Sequence, residues 1–78
     1  MIRHDKISHM SRLELLGRNI KKYREQKGWS QALLAEKIDF SVENICRIER
    51  GKRYMSLRKL FELADILEVD FCDLTNFK

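Results

Sequence analysis

Phe40-Ser41-Val42-Glu43-Asn44-Ile45-Cys46-Arg47-Ile48-Glu49-Arg50-Gly51 is the stretch on which the reading of this 78-residue chain turns. Ser41 is a favourable helix N-cap, because its hydroxyl can accept a hydrogen bond from a backbone N–H that lacks an intrahelical partner, and Gly51 can end the helix at positive φ. Ile45 and Ile48, three residues apart, supply an inward stripe. That leaves Val42, Glu43, Asn44 and Arg47 pointing outward from the N-terminal half. Asparagine can bond adenine bidentately and arginine can do the same to guanine, each good pair adding about 1–3 kcal/mol of discrimination. The stretch reads as a helix built to contact base edges in DNA.

The same punctuation recurs outward from it. Met10-Ser11 with Leu15, Trp29-Ser30 with Leu34, Phe40-Ser41 with Ile45, Met55-Ser56 with Leu60 and Val69-Asp70 with Leu74 each set an apolar residue before a capping residue and another four positions after it. These are five N-caps with hydrophobic staples, and together they predict an all-α chain. The first helix is expected from Ser11 to about Lys27, opened by a Ser11/Glu14 capping box, ended by Gly28, and buried along Leu13, Leu16, Ile20 and Tyr23. The second, Gln31 to about Ile38, turns Leu34, Ala35 and Ile38 inward, while the pattern assigns Leu33 to neither face. Asp39 tolerates the left-handed conformation better than most residues, so helix, three-residue turn and helix follow one another at the spacing of a helix-turn-helix unit.

A basic loop, Lys52-Arg53-Tyr54-Met55, comes next, suited either to lie along a DNA backbone or to serve as a solvated connector. The fourth helix, Ser56 to Leu67, is expected to bury Leu57, Leu60, Leu63 or Ala64, and Leu67. Asp70 opens a last short helix with Phe71, Cys72, Asp73 and Leu74, and Phe77 follows. Apolar residues there either close their own core or meet a second copy, and Phe71, Leu74 and Phe77 are the expected dimer contacts.

Residues 1–10 form an N-terminal extension of unassigned function, ahead of a DNA-binding domain at 11–78. With 44% hydrophobic and 36% charged residues and no apolar run near the roughly 18 that span a bilayer, no membrane association is expected. The polar N-terminus lacks a signal-peptide h-region, so the expected address is the cytoplasm. Cys46 and Cys72 lie far apart without CxxC pairing or nearby histidines, which argues against metal, disulfide or cofactor chemistry. Residues 1–60 hold fifteen Lys/Arg against seven Asp/Glu, net +8, whereas residues 61–78 hold one Lys against five acids, net −4. The basic part would attract phosphate and the acidic end would face away from it.

From Leu16 to Leu74 the chain resembles the lambda-repressor-like helix-turn-helix proteins of the Cro and phage-repressor type. The resemblance rests on Leu16-Gly17-Arg18-Asn19-Ile20-Lys21, Arg24-Glu25, Gly28-Trp29-Ser30-Gln31, Leu34-Ala35-Glu36-Lys37, Ser41, Ile45, Arg47-Ile48-Glu49-Arg50-Gly51-Lys52 and Ser56-Leu57 through Leu67. It implies a compact five-helix fold that binds double-stranded DNA as a homodimer, with the recognition helix, Ser41 to Arg50 here, in the major groove. It further implies base reading by Val42, Glu43, Asn44 and Arg47, phosphate contacts from Gln31, Ser41, Lys52 and Arg53, and a largely buried structural ion pair between Arg24 and Glu49. Asp39 and Glu68 stand where such proteins usually carry Gly, and Met55 where they often carry Pro. Glu43 either accepts from a cytosine amino group or holds Arg47 as an i,i+4 pair, and the orientation favours the second.

The resemblance thus points to a sequence-specific transcriptional regulator acting on a palindromic operator. Controllers of restriction–modification operons and antitoxins of toxin–antitoxin operons share this plan, and a toxin or polymerase is compatible with it as a protein partner. A protein-interaction module on the same fold is a different class, favoured by Glu43 and the acidic fourth helix and opposed by the basic first 60 residues. No Ser–His or Cys–His constellation and no phosphate loop supports an enzyme.

Overall fold

Four serines and an aspartate start the helices. The computed structural model describes residues 11–77; the 1–10 extension, including Met10 of the first staple, and Lys78 lie outside the described residues. Among the described residues there are five helices and no strand: α1 (Arg12–Gln26), α2 (Gln31–Ile38), α3 (Val42–Glu49), α4 (Leu57–Leu67) and α5 (Phe71–Leu74). The hydroxyls of Ser11, Ser30, Ser41 and Ser56 accept from the backbone N–H of Glu14, Leu33, Asn44 and Lys59 at 3.0 to 3.2 Å. Each satisfies one donor that the first helical turn leaves without a partner. Glu14 completes the capping box by accepting from the Ser11 N–H at 2.8 Å.

The ends are as uniform as the starts. Gly28, Asp39, Gly51 and Glu68 all adopt left-handed φ, at 75°, 62°, 73° and 61°. After each, the next N–H reaches the carbonyl five residues back: Trp29 to Arg24, Phe40 to Ala35, Lys52 to Arg47 and Val69 to Ala64. This is the Schellman arrangement, used four times, and at two of the four places an acid bears the steric cost that glycine avoids. Glu68 is also paired with Lys27 across the α1 and α4 exits. That hydrogen bond, and then the Lys27 charge, hold the Glu68 carboxyl below its usual range. Any contribution of this exposed pair is present above the ordinary carboxylate pKa and fades as pH falls through the lowered folded value.

The core comprises Ile20, Leu34, Ala35, Ile38, Ile45, Ile48, Leu60, Leu63, Ala64, Leu67 and Leu74. It differs from the sequence expectation in three respects and settles Leu33, which the sequence left open. Leu57 is 58% exposed, one helical turn before Phe61, which is 50% exposed. Leu63 and Ala64 are both buried rather than alternatives. Leu33 resolves to the surface. Leu13, Leu16 and Tyr23 are only partly buried, leaving Ile20 as the α1 side chain fully inside.

Helix α3 packs on α1 and α2, α4 packs on α2, and α5 bridges α1 and α4. Asn19 fixes the last of these by donating from Nδ2 to the carbonyls of Leu74 and Asn76 at 2.8 and 3.0 Å. Where α1 crosses α3 the backbones meet directly. A Cβ on Gly17 would lie 2.4 Å from the Ile48 carbonyl oxygen and 2.5 Å from that of Glu49. Gly17→Ala is therefore expected to push α3 off α1, at the roughly 1–3 kcal/mol typical of overpacking. Circular dichroism melts should show a Tm lower by about 4–8 °C for each kcal/mol lost.

Candidate nucleic-acid interface

Inward anchoring defines the outer surface of α3. Ile45, Ile48 and Glu49 are its buried residues, so the helix presents Val42, Glu43 and Arg47 to solvent, with Asn44 and Cys46 half-buried at the flanks. Exposed Arg50 continues that surface, and the loop carrying exposed Lys52, Arg53 and Tyr54 follows. Glu43 and Arg47 are paired through Oε2 and Nη2 at 3.0 Å. Ser41 is exposed as the N-cap; its oxygen accepts from Asn44 N–H, which leaves the hydroxyl proton free to donate outward.

Orientation comes from a buried polar node. Arg24 and Glu49 are only 7% and 6% exposed. Arg24 donates from Nε to Glu49 Oε2 at 2.6 Å and from Nη2 to Oε1 at 3.1 Å, while its Nη1 donates to the Trp29 carbonyl at 2.6 Å. The fork thus joins α1, the turn before α2, and the last turn of α3. The Glu49 hydrogen bond and charge raise the Arg24 pKa against the opposing effect of burial. No buried side-chain nitrogen or oxygen among the described residues lacks a partner.

Gln31, expected to face a phosphate, is also tied to this node: its Nε2 donates to Glu49 Oε1 at 2.9 Å. An amide nitrogen carries two protons, so one remains to donate outward beside the N-terminus of α2. The carboxylate accepts only, which fixes which end of the Gln31 amide faces it. Nothing in the sequence pattern flagged this bond, since its partners lie 18 residues apart. Lys27 and Lys37 both lie over the Trp29 ring, 5.5 and 4.6 Å from its centroid, adding positive charge near the start of α2.

The three residues expected at a dimer interface separate. Leu74 is 0% exposed and belongs to the protomer's own core, so it offers no surface to a second copy; this corrects the expectation. Phe71 is half-buried and stacks on Phe61 at a centroid distance of 4.6 Å. Phe77 lines a separate groove with Leu15, Arg18, Asn19, Lys22 and Asn76. The exposed apolar surface of α4 is instead Leu57 and Phe61, and Phe61 escaped the sequence reading because the α4 pattern is apolar over too wide an arc. No helix among the described residues is long and apolar enough to cross a membrane.

Comparison with known proteins agrees with the helix-turn-helix fold. Residues 20–74 match a helix-turn-helix family model. The chain is 34% identical over 61 residues to the uncharacterized HTH-type transcriptional regulator YazB of Bacillus subtilis, covering 78% of this chain and 88% of that one. Among solved structures, the restriction-modification controller protein C.AhdI from Aeromonas hydrophila superposes with a TM-score of 0.75 at 31% identity, covering 80% of this chain and 94% of that one. The clp gene regulator ClgR from Corynebacterium glutamicum gives a TM-score of 0.77 at 27% identity, covering 81% and 67%.

The polar node predicts an asymmetry between single and double replacement. Glu49→Ala strands the Arg24 guanidinium in the interior and should cost about 3–5 kcal/mol, whereas Arg24→Met with Glu49→Leu should stay close to the wild-type stability. Urea unfolding of the three proteins measures the difference.

Proposed function

Because the chain belongs to the Cro/C1-type helix-turn-helix family of DNA-binding transcriptional regulators, we propose that it is a sequence-specific regulator that binds a palindromic operator as a homodimer. The observation that carries this reading is the exposed face of α3, rigidly aimed by the buried Arg24–Glu49 node. In the proposed complex α3 lies in the major groove. Arg47 reads a guanine, Asn44 and Val42 contact neighbouring bases, and Glu43 lies beside Arg47. Gln31, Ser41, Lys52 and Arg53 hold phosphates on either side, which sets the register of the helix without reading sequence.

Dimerisation is proposed through Phe61, Phe71 and Leu57 on the surface formed by α4 and α5. A side chain such as Phe61, half open to water in the protomer, gains about 25 cal/mol for each Å² of apolar surface covered. Two recognition helices related by a two-fold axis would then meet half-sites one helical turn, about 34 Å, apart. The likeness to the restriction-modification controller protein C.AhdI supports control of a restriction–modification operon as the more specific second reading.

The test is selection of bound sites from random duplexes at two salt concentrations. Enrichment of a two-fold symmetric site is expected; weak, salt-sensitive binding without enrichment would overturn the reading. On the selected site, Arg47→Ala should relax preference at one base pair per half-site at a cost of about 1–3 kcal/mol. Lys52→Ala should instead weaken binding to every sequence and flatten the salt dependence by about 0.9 per protomer. Phe61→Glu should shift the sedimentation equilibrium to monomer and lower operator affinity while leaving the helical spectrum intact.

A further inference from the structure

We infer that Glu43 is a specificity-determining positioning residue, an electrostatic filter that withholds Arg47 from phosphates and leaves it for a guanine edge. The inference rests on the proposed major-groove placement of α3. Of the two acids on α3, Glu49 is buried and neutralised by Arg24, so Glu43 is the acid that this helix carries outward. An exposed carboxylate on a surface meant for a polyanion weakens binding unless it discriminates between DNA sites.

The geometry supplies the means. Glu43 Oε2 accepts from Arg47 Nη2 at 3.0 Å, one helical turn along, with the two side chains 73% and 47% exposed. A guanidinium has two bidentate edges that include Nη2, one shared with Nε and one with Nη1, and each uses a different Nη2 proton. A single bond through Nη2 therefore leaves one edge complete, enough for guanine O6 and N7. The pair as a whole carries no net charge. A phosphate approaching Arg47 meets the carboxylate at close range, so the contact that any DNA could offer is opposed. A guanine edge is uncharged and escapes that opposition, and Glu43 Oε1 is left to accept from a cytosine amino group nearby. Free of Glu43, Arg47 would take phosphates on any sequence and add to the counterion-release component of binding.

The experiment is Glu43→Gln, which keeps the side-chain length and an acceptor oxygen but removes the charge. It is read on the selected site and on a scrambled duplex of equal length over a range of salt concentrations, with circular dichroism as the control for folding. Expected are a several-fold rise in affinity for the scrambled duplex, a slope of log K against log salt on that duplex steeper by about 0.9 per protomer, and a several-fold fall in the ratio of selected to scrambled affinity. With Arg47→Ala already present, Glu43→Gln should produce no steepening, because the freed phosphate ligand is gone. An unchanged slope and ratio would overturn the filter, as would loss of affinity for the selected site with no gain on scrambled DNA, which would make Glu43 a base reader alone. Absence of salt-dependent duplex binding by the unaltered protein would instead overturn the regulator reading itself.

Discussion

The Arg24–Glu49 ion pair is the constraint on which the orientation of α3 depends. It lies where three segments converge, and each partner has a second duty: Arg24 holds the Trp29 carbonyl and Glu49 holds the Gln31 amide. Removing either partner would leave a buried charge, at about 3–5 kcal/mol, against a total stability that for small domains is about 5–15 kcal/mol. An apolar pair of similar volume could hold the helices together equally well. It would not hold Gln31 in a fixed amide orientation, nor specify the rotation of α3 about its axis. The ion pair contributes specificity of arrangement more than net stability.

Gly17 makes the ion pair possible. The missing side chain lets α1 approach the Ile48 and Glu49 carbonyls at backbone contact, which brings the Arg24 fork within hydrogen-bond range one end of the crossing away. The opposite end of the domain has a different logic. Asn19 anchors the short α5 by its backbone carbonyls, Leu74 plugs the core, and the Phe61–Phe71 stack is left at the surface. Charge is uneven along the sequence, net +8 over residues 1–60 and −4 over residues 61–78, and the exposed apolar residues Leu57 and Phe61 lie on α4.

Local chemistry was legible residue by residue. Each serine N-cap appears as an actual hydrogen bond, the α2 limits match the expected ones, Asp39 occupies the left-handed position, and Glu43 reaches Arg47. All of these depend on partners within five residues, where geometry follows from helix periodicity alone. Family resemblance added Arg24 with Glu49, a pair 25 residues apart that spacing could not have suggested.

The sequence by itself determined that the chain is helical, where its helices begin and end, and which side chains of α3 turn outward, because capping and a 3.6-residue period are local properties. Tertiary structure alone decided that Leu57 and Phe61 lie open while Leu74 is sealed, that Gly17 is a point of backbone contact, and that Gln31 is held by Glu49. Those outcomes depend on which helix lies opposite and where it stops. An amphipathic pattern states that a face will be covered; only the packed chain states by what.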